Sequence, residues 1–203
     1  MKDKKVVIVT AVSILLCVAM IAIILVFTKS MVGDVDISTD DIADYGKWDL
    51  SEEYTKLSIF PAEVPASATE VLYRYKYQSG LNRPMCQISL ECTLNQQEFD
   101  AEVERLSNLS YTTAEGKTNL VQYDETNFSH PAYVTMMGYD FAYEYALVVE
   151  QSRTIVYIFT MNLIERDVKF DESYLPTDYM ADFDNFEVDA LDRFTMYERY
   201  RNA

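Results

Sequence analysis

The spacing of apolar positions changes along this chain, and the changes mark its parts. From Val6 to Phe27 there is no alternation: 22 residues run without a charge, mostly Val, Ile, Leu, Ala and Met. A helix of that length measures roughly 33 Å at about 1.5 Å per residue, close to the roughly 30 Å hydrocarbon core of a bilayer. Hydrocarbon offers the backbone no hydrogen bonds, so a lone spanning segment is helical. The pattern therefore predicts one transmembrane signal-anchor helix over residues 6–28, preceded by a cytoplasmic stub of residues 1–5.

Residues 29–50 have few apolar positions and carry Asp34, Asp36, Asp40, Asp41, Asp44 and Asp49. Acidic chains of this kind repel themselves and extend, which predicts a flexible tether. Leu57 to Pro65 contains Pro61 and Pro65 and reads as an extended lead-in. Period-2 alternation begins at Glu70. Val71, Tyr73, Tyr75 and Tyr77 share one face, and Leu72, Arg74, Lys76 and Gln78 share the other. After a Gly- and Pro-containing loop, Cys86, Ile88, Leu90, Cys92 and Leu94 alternate with Gln87, Ser89, Glu91 and Thr93, which predicts an antiparallel hairpin.

Asn95 followed by Glu98 resembles a capping box. Phe99, Val103, Leu106 and Leu109 then recur at helical spacing, so a helix over 96–109 is expected to lie across the sheet. Strands are predicted over 132–137, 141–149 and 154–161, with a short one near 120–123. The 154–161 run is apolar on both faces, which marks a central strand. Beyond Pro176 a helix over 185–200 is predicted, with Ala190, Leu191, Phe194 and Tyr197 as its packed side. The expected architecture is α+β. Behind the anchor, residues 51–203 form one domain with an antiparallel sheet of about five strands and one or two packed helices.

Charge sets the orientation. Lys2, Lys4 and Lys5 precede the apolar run, and basic flanks stay in the cytoplasm. The domain is thus expected outside the cytoplasm, on a single-pass cell-membrane protein. Two other readings of the N-terminus compete: a cleaved secretory signal and a lipoprotein signal ending at Cys17. Both leave the domain outside. Residues 29–203 keep 14 of the 17 basic and 32 of the 33 acidic side chains, a net of −18. Nucleic-acid binding needs basic residues to displace counterions, so a nucleic-acid partner is excluded.

Candidate chemistry is sparse. Cys86 and Cys92 lie six apart on one strand face, so their Cα atoms stand about 20 Å apart, while a disulfide needs less than about 7 Å. They are expected as free buried thiols unless the strand reading fails. His130 is the one histidine of the chain, which rules out a multi-histidine zinc site and leaves one candidate base. No Gly-x-Ser-x-Gly elbow and no glycine-rich phosphate loop occurs. Asp182 to Glu187 superficially follows a calcium loop but lacks its fifth-position oxygen and its turn glycine. No metal and no cofactor is predicted. Tyr73, Tyr75 and Tyr77 are the candidate partner- or ligand-binding residues, since an aromatic face stacks on sugars or buries a partner's side chains. The alternative is that the stripe packs beneath the 96–109 helix. Asn108 and Asn127 each begin a glycosylation sequon, a match that is frequent by chance and irrelevant if the source is bacterial.

The layout resembles a family of membrane-anchored extracytoplasmic proteins of Gram-positive bacteria. The residues that carry it are the Lys-rich start with one span, Leu57-Ser58-Ile59-Phe60-Pro61, Glu91-Cys92, the stretch from Glu98 to Leu106, Tyr123-Asp124-Glu125, His130-Pro131-Ala132-Tyr133 and Tyr143-Glu144-Tyr145-Ala146-Leu147. The resemblance implies a location and a source; it brings no activity and no functional residues.

Together these features predict a non-catalytic, membrane-anchored interaction or accessory module rather than an enzyme. Its expected partners are the membrane, through residues 6–28, and a membrane or cell-surface protein. One alternative is a ligand-capture domain for a glycan, peptide or cation. A second is an envelope enzyme resting on His130 or on paired carboxylates.

Overall fold

The two alternating runs pair as a hairpin, β2 (Thr69–Gln78) with β3 (Met85–Thr93). The later apolar runs form the meander β7 (Ala132–Tyr139), β8 (Ala142–Val149) and β9 (Thr154–Met161). β3 and β9 join the two units, placing β9 centrally with all eight of its residues buried. The structure, a computed structural model, describes residues 14–24, 36–47, 57–78, 84–112, 118–139, 142–163, 167–177 and 179.

The sheet has seven antiparallel strands in the order β1-β2-β3-β9-β8-β7-β6, rather than about five. Two short strands lie at its edges: β1 (Asp36–Thr39), which was not expected, and β6 (Gln122–Asp124), which overlaps the short strand expected near 120–123. The four residues of β1 are too few for alternation to show. β1 also corrects the tether reading over part of its length. Asp36–Thr39 pair with Gln78–Tyr75, and a 3₁₀ turn at Ile42–Asp44, capped by the Asp41 side chain, follows at once. A further hairpin, β4 (Ser110–Thr112) with β5 (Thr118–Leu120), precedes β6.

Residues 14–24 are helical (α1) and lie within the apolar run. The second helix, α2 (Gln96–Ser107), opens with the capping arrangement expected of Asn95 and Glu98. Asn95 Oδ1 accepts from the Glu98 N–H (3.0 Å), and Asn95 Nδ2 donates to Glu98 Oε2 (2.9 Å). Phe99 and Leu106 face inward. They join Tyr73, Tyr75, Cys86, Ile88, Leu90, Cys92 and Tyr157 in the core on one side of the sheet, together with Ile59 and Phe60 of the lead-in.

The other side of the sheet is also dry. Phe128, Leu175 and Tyr179 pack there on Val134, Tyr143, Tyr145, Leu147, Val156 and Ile158. This is why Gln87 and Ser89, on the polar side of the β3 alternation, are buried at 1% and 6% exposure. Gln87 Nε2 donates to Asp167 O and Gln87 Oε1 accepts from Lys169 N–H, each at 2.9 Å. A primary amide offers the donor and acceptor of a peptide group, so Gln87 binds the 167–169 segment much as a neighbouring strand would.

No helix among the described residues is long and apolar enough to cross a membrane. The rest of the Val6–Phe27 run lies outside the described residues, as do Trp48, Asp182 to Glu187 and the predicted 185–200 helix.

Candidate functional site

Alternation puts the tyrosine stripe of β2 on the α2 side of the sheet, and the core closes over it. Tyr73 and Tyr75 are 3% and 5% exposed, and Tyr77 is half-buried. Tyr45 meets Tyr73 edge-on, with ring centres 5.6 Å apart, and donates its hydroxyl to Pro61 O at 2.6 Å. Buried rings offer no face to a sugar or to a partner's side chain, so Tyr73 and Tyr75 are packing residues. Burial also pushes the Tyr73 hydroxyl well above its ordinary range, and that hydroxyl meets no hydrogen-bond partner among the described residues.

The other sequence candidates lie apart from one another. Cys86 and Cys92 are free and buried, as the strand geometry requires. Burial raises both thiols, Cys92 to about 12, so neither is a thiolate near neutrality. His130 is half-buried ahead of β7, next to Pro131, whose carbonyl accepts from Val148 N–H at 2.8 Å. Both sequon asparagines are engaged: Asn108 Nδ2 with Glu104 O and Asn127 Nδ2 with Asp124 Oδ2, each at 2.8 Å. Among the described residues no group of His, Cys, Asp or Glu is arranged to hold a metal ion.

The concentrated polar chemistry lies instead between α2, the lead-in and the sheet. Glu102 and Arg105, one turn apart on α2, form a forked pair. Arg105 Nε donates to both carboxylate oxygens (3.0 and 2.9 Å) and Nη2 to Oε1 (2.6 Å). Tyr157 of β9 donates its hydroxyl to the same oxygen at 2.6 Å. Burial works against the charge on Arg105, and the bonds to Glu102 more than restore it. Arg105 Nη2 also reaches the carbonyl of Ile59 at 2.7 Å.

On the N–H side of Ile59 stands Glu144, 3% exposed, on β8. Its Oε1 accepts from Ile59 N–H (2.8 Å), its Oε2 from the Thr135 hydroxyl (2.7 Å), and the Ser58 N–H is a third donor. Burial raises the Glu144 carboxyl above its ordinary value, against the pull of those three donors. The lead-in is thus gripped at its amides by a carboxyl and at a carbonyl by a guanidinium.

Sequence reasoning passed over this network. The signal it had was Glu144 itself, the one acid on a face otherwise made of Ala142, Ala146 and Val148. An acid on a wholly apolar face predicts a buried, hydrogen-bonded carboxyl. No spacing rule pointed to Ser58 and Ile59 as its donors, because they lie more than 80 residues away.

No protein-family model matches the chain, and no curated protein and no solved structure is detectably similar to it.

Proposed function

We propose that this chain is a non-catalytic interaction or accessory module, anchored in the cell membrane by residues 6–28 and displaying its domain outside the cytoplasm. The observation that carries this reading is α1. Every large apolar side chain among residues 14–24 is 56–74% exposed. Water disfavours such a helix by roughly 25 cal/mol for each Å² of apolar surface left uncovered, and a bilayer supplies the missing cover. The lysines before the run give the orientation. The likeness to membrane-anchored extracytoplasmic proteins of Gram-positive bacteria supports the same placement.

The use of polar groups in the domain supports a module that holds its shape rather than one that turns over a substrate. Glu102, Arg105 and Tyr157 bond to one another, Glu144 bonds to the lead-in, and Gln87 bonds to the 167–169 backbone. Function then rests on what the surface meets, and a membrane or cell-surface protein is the expected partner.

The test uses intact cells carrying the full chain, with any wall removed. Added protease should digest the domain while the chain stays with the membrane fraction, and crosslinking with mass spectrometry should recover a reproducible membrane-protein neighbour. A domain that resists protease until the cells are lysed would overturn the placement. Crosslinking that recovers only random abundant proteins would overturn the accessory role.

A further inference from the structure

Among the described side chains one aromatic ring stands exposed: Tyr123 of the edge strand β6, at 55%. An exposed tyrosine ordinarily swings on two torsions, but this one is held at both ends. Its ring lies against that of Tyr133, its register partner on β7, with centres 5.2 Å apart and planes tilted by 49°. Tyr133 belongs to the core and gives the ring a firm floor. At the far end the Tyr123 hydroxyl donates to Glu125 Oε1 at 2.9 Å. A ring already fixed in the free protein loses little freedom when something docks on it.

The surroundings of this ring are anionic. Tyr133 pairs in turn with Ala146 of β8, and Ala146 and Val148 mark the α2 side of the sheet. Glu150 follows Val148 by two positions and opens the exposed turn at 150–153. Its charge and that of Glu125 both reach the Tyr123 hydroxyl, whose bond to Glu125 does most to hold it protonated. Among the described residues neither Glu125 nor Glu150 forms an ion pair. The corner thus offers a neutral, electron-rich ring with one carboxylate on its hydroxyl and a second close by.

The chemistry selects the visitor. The face of an aromatic ring is negative and attracts a cation. A guanidinium lies flat on such a face and keeps its N–H fork for neighbouring carboxylates. A quaternary ammonium has no N–H to give them and is recognised by a cage of several rings, whereas here there is one. The net charge of −18 over residues 29–203 draws a basic partner towards the domain as a whole. The fixed ring decides where such a partner gains most.

We propose that Tyr123, flanked by Glu125 and Glu150, is a docking platform for an arginine side chain on a basic segment of a partner protein. This rests on the accessory-module reading and deepens it by naming the partner's chemistry. It belongs to the domain and does not need α1 to cross a bilayer.

The test is nuclear magnetic resonance on the full-length chain in nonionic detergent micelles, with isotope-labelled tyrosine rings and a capped tetra-arginine peptide as probe. The Tyr123 signals, identified by their loss in Tyr123→Leu, should move at millimolar peptide and show contacts to the arginine methylenes. A peptide of citrulline, the neutral analogue of arginine, should leave them in place. Tyr123→Leu should weaken peptide binding about two- to fivefold, and Glu125→Gln with Glu150→Gln should weaken it as well. Glu104→Gln with Glu172→Gln removes the same charge elsewhere and should leave the ring contacts unchanged. Tyr123 signals that stay still, or binding that falls equally with either pair of acids and not with Tyr123→Leu, would overturn the platform. So would a neutral maltohexaose probe that moves the ring when the arginine peptide does not. Crosslinking in cells separates this site from the broader role: a reproducible neighbour whose yield is unchanged in Tyr123→Leu overturns the platform and leaves the accessory module standing.

Discussion

Arg105→Met isolates the force that holds α2 to the lead-in. Methionine keeps an aliphatic stem and deletes the guanidinium. The three bonds to Glu102 and the one to Ile59 O vanish, and Glu102 keeps only the Tyr157 hydroxyl among the partners described above. Two limits bracket the cost. An exposed ion pair contributes about 0.2–1 kcal/mol, while removing one partner of a buried pair costs about 3–5 kcal/mol. This pair lies between them, with side-chain exposures of 34% for Arg105 and 13% for Glu102, so water screens the arginine and largely misses the acid. With about 1 kcal/mol for the abandoned Ile59 carbonyl, the expected loss is about 2–3 kcal/mol. That corresponds to roughly 5–10 °C in Tm for a domain of this size. Denaturant unfolding of the full-length chain in detergent should show the midpoint falling at unchanged slope. Much of the loss is the stranded Glu102 charge, so adding Glu102→Leu should restore about 1 kcal/mol, a non-additivity read from the double-mutant cycle. A loss below about 0.5 kcal/mol for Arg105→Met, or a double variant no more stable than the single one, would refute the reasoning.

Three further outcomes follow from the packing. Tyr73→Phe removes a buried hydroxyl that bonds to nothing among the described residues, so it should be neutral or stabilise by about 0.5–1 kcal/mol in the same unfolding assay; a clear destabilisation would show that the hydroxyl has a partner. Gln87→Leu deletes both bonds to the 167–169 backbone, and limited proteolysis should then cut between 163 and 179 well before the strands are attacked. Equal resistance in wild type and variant would count against Gln87 as the clasp. In a Cys17→Ser background, a maleimide should leave Cys86 and Cys92 unlabelled until denaturant passes the unfolding midpoint, because burial keeps both as inaccessible thiols. Labelling of the native chain would put the β3 face outside the core.

The parts of this fold that could be read from the chain are those where one local rule decides. Alternation placed β2 and β3 and their faces, and a run apolar on both faces identified β9 as central. Asn95 and Glu98 located the start of α2, and strand geometry kept Cys86 and Cys92 apart. Reading stopped where burial depends on distant chain. Gln87 and Ser89 look like a wet face because alternation assumes one, and only the return of residues 167–179 dries it. Glu144 stands out as the one acid on an apolar face, but its donors Ser58 and Ile59 come from the far side of the sequence, where no local rule points. Tyr73, Tyr75 and Tyr77 were open to two readings for the same reason, since a stripe on a strand says which residues share a face and not what lies on it. β1 was hidden by its composition: Asp36 and the acids after it suggest an extended coil, yet an edge strand also needs charge and short length to discourage pairing with other chains.

That strand changes how the domain would sit on its anchor. A coil through the whole of residues 29–50 would let the domain wander, but Asp36–Thr39 belong to the sheet. With residues 6–28 in a bilayer, residues 29–35 alone bridge the gap, and seven residues reach at most about 25 Å. Register then fixes which end of the sheet would face an anchor joined at Asp36. Asp36 pairs with Gln78 and Gln78 with Met85, and the neighbouring row runs from Tyr77 through Cys86 and Met161 to Ala142. That end would lie nearest such an anchor, whereas Thr93, Thr154 and the turn at 150–153 lie at the other end of the sheet. A partner embedded in the same membrane would meet the Asp36–Ala142 end first, and a partner outside would meet the 150–153 turn.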